Sequence, residues 1–147
     1  MEGKEKKMGR FSVPIEVANY GDVVAVDEGR LAPAKIRRTI IDGVVDPGAS
    51  RLVLPEALVK ELGLPDFKSK TKLLYADGRR GIRREVGGVF LTLQGRHGLY
   101  PAIVEPKRTT ALIGAIVLVD LDFLVDCKIH CLVPRDPHFV LSGPFHK

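Results

Sequence analysis

The stretch VVDPGASRLVLPEALVKELGLP, from Val44 to Pro65, narrows the choice of folds more than any other part of this chain. It passes from an apolar strand through an Asp-Pro-Gly turn into a second apolar run and then a short helix. One carboxylate, Asp46, is thereby lifted between two of the most hydrophobic segments, which is costly unless the charge has a partner or a task. The helix is signalled by PEALVKELG. Pro55 suits a first helical position, Glu56 complements the N-terminus, Gly63 provides a stop, and Leu58, Val59 and Leu62 share one face.

Elsewhere the pattern is extended. FSVPIEV (11–17) alternates as a first strand, residues 19–33 read as a loop or loose hairpin, and KIRRTIIDGVV (35–45) is a long strand candidate. RLVL (51–54) is a short strand. TKLLYADGRRGIRREV (71–86) holds an Asp-Gly pair between extended pieces and predicts a hairpin. Two more strands are expected around QGRHG within 86–106, a strand and short helix around Gly114 with the helix at 115–121, and a terminal hairpin at 126–134. No βαβ rhythm and no fixed-period repeat appear, so many short strands with turn signals predict a mainly β barrel or sandwich with one or two short helices.

A chain of 147 residues with 45% hydrophobic content predicts one domain with a real core, built from Val, Leu and Ile because there is no Trp. Residues 1–10 read as a charged leader, 11–137 as the domain and 138–147 as a tail. The net charge of +5 raises the question of nucleic acid, but the basic residues are scattered through KIRR, GRRGIRR and EPKR without interleaved aromatic platforms. Solvated basic faces are the expectation, with no nucleic-acid partner. The run ALIGAIVLVDLDFLV (111–125) is broken by Asp120 and Asp122 and is too short to span a bilayer. No secretory signal is visible, so a cytoplasmic, reduced protein is expected, with no membrane partner.

Val44-Val45-Asp46-Pro47-Gly48-Ala49-Ser50 resembles the active-site loop of the aspartic proteases, closest to the single-motif retropepsin-like family of retroviral proteases and small bacterial relatives. That family has an apolar pair followed by Asp-Thr/Ser-Gly-Ala-Ser/Thr. Its late apolar-apolar-Gly signature is matched by Leu112-Ile113-Gly114-Ala115-Ile116, and its hairpin flap by Tyr75-Ala76-Asp77-Gly78. LVDCKIHCLVP is similar to the C-terminal strands of the bacterial relatives, and the resemblance runs in order from about residue 36 to 134.

The resemblance implies a closed acid-protease barrel and an aspartic endopeptidase needing neither metal nor organic cofactor. Two carboxylates sharing one proton can take a proton from water and supply one to the carbonyl. This chain has one such motif, since Asp120, Asp122 and Asp126 are not followed by Gly-Ala or Gly-Ser. The resemblance therefore implies a homodimer with one Asp46 from each subunit. Gly48 would permit close approach and unusual dihedrals, Ala49 would face the opposing loop, and Ser50 would bond nearby backbone. Ile40, Ile41, Val44, Val45, Leu52 and Leu54 would dry the site, and the flap at 75–81 would close over an extended peptide. Ile113, Gly114 and Ala115 would support the loop from beneath.

Pro47 departs from the family, whose Thr or Ser hydroxyl braces the two loops across the dimer axis. Proline offers neither a hydroxyl nor an N–H and holds Asp46 to extended dihedrals. An active protease with a weaker brace and an inactive peptide-binding or scaffold dimer both fit. Among rival sites, Cys127, His130, Cys131 and His138 could hold zinc, but the spacing matches no common finger and a small hairpin is the simpler reading. Ser50 has no evident base, His97 falls in an expected turn, and the Gly-rich pieces at 77–81 and 87–89 lack the strand-to-helix setting of a phosphate loop.

Overall fold

The computed structural model describes residues 10–75 and 77–138. The strands are β1 (Phe11–Asn19), β2 (Arg38–Val45), β3 (Val53–Pro55), β4 (Asp66–Leu74), β5 (Arg80–Leu93), β6 (Arg96–Glu105), β7 (Ala111–Ile113), β8 (Phe123–Asp126) and β9 (Cys131–Pro134). The helices are α1 (Tyr20–Asp27), α2 (Glu56–Leu62) and α3 (Ala115–Asp120), with a 3-10 turn at Pro33–Lys35. None of these helices is long and apolar enough to cross a membrane.

The strands pair in the order β1-β2-β7-β3-β6-β5-β4, and β1 also pairs with β5. All but β4 therefore close into a ring, while β4 hangs on the outer half of β5. The interior is filled by alternate residues, among them Ile15, Val17, Val45, Val89, Leu91, Leu93 and Ile113. Leu54, Leu58, Val59 and Leu62 bring β3 and α2 into the same core. β8 and β9 form the separate terminal hairpin.

Three sequence expectations change. Residues 80–93 form one strand rather than the ends of two, because the pairing with β6 shifts between Val86 and Val89 and Gly88 takes φ +68°. Its inner half lies in the ring; its outer half, beyond the ring, carries the flap hairpin with β4. Pro55 ends β3 and caps α2 instead of occupying its first turn, while Gly63 takes the left-handed conformation expected of a stop. The strands of the terminal hairpin begin at Phe123, ahead of the expected 126.

A further change is α1, a helix where a loop was expected. Asn19 is buried and caps it, accepting from the Asp22 amide, and its Nδ2 donates to the carbonyls of Leu62 (2.8 Å) and Gly63 (3.2 Å) at the end of α2. Asp22 takes a bidentate pair from Arg37, at 2.9 and 3.0 Å, and also accepts the Arg37 amide. One polar cluster thus binds α1, the end of α2 and the approach to β2.

The bonds from the Arg37 side chain and amide pull the Asp22 pKa down to about 2 from 3.8. A carboxylate depressed in the folded state stabilises above its unfolded value and loses that contribution as pH falls through the folded one. Asp22→Asn should lower stability at neutral pH, and the gap to the parent should close as pH drops from 3.8 toward 2. Urea unfolding at stepped pH measures this; a gap that stays constant would assign the loss to something other than the ion pair.

Candidate active site

Asp46 follows the last residue of β2, at the point where the ring opens. Its amide donates to the Ile113 carbonyl (3.0 Å), carrying the β2–β7 ladder one step further. The Ala49 amide donates to the Asp46 carbonyl (3.0 Å), closing a four-residue turn with Pro47 at its second position, which a fixed φ suits. The loop thus tolerates proline: its bonds use the amides of Asp46, Gly48 and Ala49.

The Gly48 amide donates to Asp46 Oδ1 (3.0 Å). Gly48 has no left-handed backbone, contrary to expectation. It is needed for closeness, since a Cβ there would lie 3.3 Å from Asp46 Oδ1. The other oxygen, Oδ2, lies 3.5 Å from Arg10 Nε. Arg10 reaches it because Phe11 is paired with Val45, which sets the preceding residue of β1 opposite the residue after β2. The Asp46 side chain keeps 17% of its surface exposed, enough for water or a substrate to reach it.

Beneath the loop, Ala115 and Ile116 donate their amides to the carbonyls of Ala49 (2.7 Å) and Ser50 (3.1 Å). The unpaired donors at the start of α3 are thereby satisfied by the loop itself. Ser50 contributes this carbonyl. Gly114 makes the approach possible: a Cβ there would sit 2.4 Å from the Arg51 carbonyl oxygen and 2.8 Å from its nitrogen. The support expected of Ile113, Gly114 and Ala115 is therefore backbone contact. Of the expected apolar shoulders, Val45, Leu52 and Leu54 are fully buried under the loop, whereas Ile40 is 71% exposed and dries nothing.

The turn expected to form a flap sits between β4 and β5. Tyr75 exchanges backbone bonds with Arg79 (2.8 Å) and Gly78 (2.9 Å), Asp77 accepts from the Arg79 amide and side chain, and Gly78 takes φ +88°. Ala76 lies outside the described residues. Tyr75 reaches away from the turn to donate to Glu105 Oε2 (2.7 Å), while Arg83 donates to Glu105 Oε1 (2.9 Å). Burial pushes Glu105 up, but these two bonds outweigh it and leave its pKa lowered. The flap is thus fastened to the end of β6.

The other aspartates are committed elsewhere. Asp120 accepts from Tyr100 (2.5 Å), Asp122 pairs with Arg135, and Asp126 caps the turn of the terminal hairpin. His97 lies in β6 against Phe90, and His130 stacks on Phe11. Cys127 and Cys131 are not joined in a disulfide. Among the described residues, no three His, Cys, Asp or Glu side chains gather as a metal would require. Sequence reasoning missed Arg10 and Arg108. Arg108 is half-buried, bonded to the carbonyls of Thr110 (2.8 Å) and Ala111 (3.4 Å), and burial lowers its pKa against the pull of Glu105.

Replacing Gly114 should disturb loop and helix together. Gly114→Ala is expected to cost about 2–3 kcal/mol, as an overpacked site does. Chemical denaturation measures it, and a loss below about 0.5 kcal/mol would mean the loop has room to retreat.

No family model matches the sequence, and no curated protein does. Among solved structures, the chain is similar to the EIAV protease complexed with the inhibitor HBY-793. The superposition has a TM-score of 0.54 at 18% identity and covers 76% of this chain and 88% of that one. The chain has the retropepsin-like fold, with Asp46 in the loop at the opening of its ring.

Proposed function

We propose that the chain is an aspartic endopeptidase in which two copies of Asp46, one from each subunit of a homodimer, share a proton and activate water against a peptide bond. The observation that carries this reading is the seat of Asp46. Its loop is fixed from below by the start of α3, its carboxylate is bonded by the Gly48 amide, and it remains reachable from outside. A second copy is required because Asp120, Asp122 and Asp126 are engaged elsewhere in the same chain. Pro47 and Gly48 are exposed, so another loop can approach them.

In this mechanism one carboxylate accepts a proton from water while the other donates to the carbonyl oxygen, and their roles reverse as the amine leaves. The pair supplies both proton transfers, so no metal or organic cofactor is required. An extended peptide lies between the loop and the flap, bonded by backbone pairing. Residues 11–137 form the catalytic domain, and Tyr75, Asp77 and Gly78 shape the flap. A reducing cytoplasm suits two cysteines that form no disulfide.

Pro47 favours a second reading, a dimer that binds peptides without cutting them, because proline removes the hydroxyl that would brace the loops. Cleavage of an unfolded protein from acid to neutral pH separates the two. Asp46→Asn should keep its fold and lose on the order of a thousandfold in rate, the scale of a missing proton-transfer group. Pro47→Thr should tighten the dimer or raise turnover. Cleavage surviving in Asp46→Asn would sink the Asp46 mechanism, and a folded, dimeric parent that cuts nothing would leave the binding module.

A further inference from the structure

Arg10, the partner of Asp46, also lines a cavity of about 340 Å3 that none of the roles above uses. It is lined by Arg10 and Ser12 from the start of β1, Val44 from β2, Leu112 from β7, and Arg108 and Thr110 from the segment before β7. Arg10 links it to Asp46, and side chains alternate along a strand, so Val44 faces the cavity while Val45 enters the core. Ser12 and Leu112 are the register partners of Val44 on either side. A peptide crossing Asp46 would present the side chain next to the attacked bond to this cavity.

Its walls mix apolar side chains with Ser12, Thr110 and the two arginines, and its charge is positive and only partly balanced. Arg10 leans on Asp46. Arg108 is held in place by neutral acceptors, the Thr110 carbonyl and hydroxyl and the Ala111 carbonyl. Among the described residues, no carboxylate lies within 4 Å of Arg108. Its neighbour Glu105 has both oxygens occupied by Tyr75 and Arg83. A half-buried guanidinium, fixed in direction and drawn only at longer range by Glu105 and Asp46, keeps bonding capacity for a carboxylate. The flap hairpin adds Lys70, Lys72 and Arg80, which would draw an acidic chain toward the cleft, while its Arg79, Arg83 and Arg84 pair with Asp77, Glu105 and Asp66.

Building on the protease reading, we propose that this cavity selects peptides with a glutamate or aspartate side chain next to the attacked bond, and that Arg108 determines this preference. The substrate class is then an acidic extended segment, in contrast to a purely apolar one.

The test measures binding separately from cleavage. Fluorescein-labelled Ala-Val-Leu-Glu-Leu-Val-Ala-Ala and its counterpart with Gln for Glu are titrated with the full chain, and fluorescence anisotropy is read. The Glu peptide should bind about tenfold more tightly, as a charge-assisted bond in a partly buried site allows. The advantage should shrink in high salt. Arg108→Gln should bring the two affinities together, and Arg108→Lys, which keeps the charge, should retain part of the difference; circular dichroism verifies that both variants fold.

Equal affinities for the parent, no binding of either peptide, or a preference unchanged in a folded Arg108→Gln would each overturn the proposal. Cleavage compared with Asp46→Asn judges the enzyme reading independently. Loss of that reading with the Glu preference intact leaves a selective peptide-binding pocket. Cleavage with no Glu preference sinks the pocket alone.

Discussion

The contact between the loop at 49–51 and the start of α3 is the constraint on which the rest of the site depends. Two amides of α3 and two loop carbonyls satisfy each other, and only the missing side chain of Gly114 allows them to meet. Gly114 in turn is positioned by β7, whose Ile113 carbonyl takes the Asp46 amide while its side chain is buried in the core. The carboxylate is thus placed by backbone bonds to elements from the far end of the sequence. Such a seat is rigid because moving Asp46 would strand helix donors and a strand carbonyl together, each costly when unpaired.

Much of this could be read from the sequence because it is local. The Asp-Pro-Gly turn, the Gly63 stop of α2 and the Asp77-Gly78 turn each follow from a few adjacent residues whose preferred dihedrals agree with the fold. The α3 helix was readable for the same reason. The α1 helix was missed although Asn19 and Asp22 form a recognisable start, because Tyr20 and Gly21 are weak helix residues and its apolar pattern is not one-sided. What holds it is distant: the carbonyls of Leu62 and Gly63 and the guanidinium of Arg37.

Arg10 and Arg108 escaped for a related reason. Along the chain Arg10 is the end of a charged leader and Arg108 the end of EPKR, both ordinary solvated residues. Register alone brings them to Asp46, the first across the β1–β2 ladder and the second through the segment that enters β7. Ile40 shows the converse. Its hydrophobicity suggested the site's wall, but strand pairing turns it outward. Cross-strand neighbours are invisible until the register is known, and one residue of slip would exchange every side chain's face.

The same distinction between local and distant decides what Pro47 does. Within one chain it fits: it occupies the second position of a turn that favours proline, and the Asp46 amide still reaches the Ile113 carbonyl. The bonds of the loop pass through residues 46, 48 and 49, so the N–H that proline lacks goes unused. A threonine there would add a hydroxyl on the exposed edge of the loop, where no bond of this chain needs it. Proline's effect is therefore confined to whatever meets the loop from outside. In a homodimer that is the second loop, so any weakness belongs to association and alignment of the two carboxylates while the fold of each subunit is untouched.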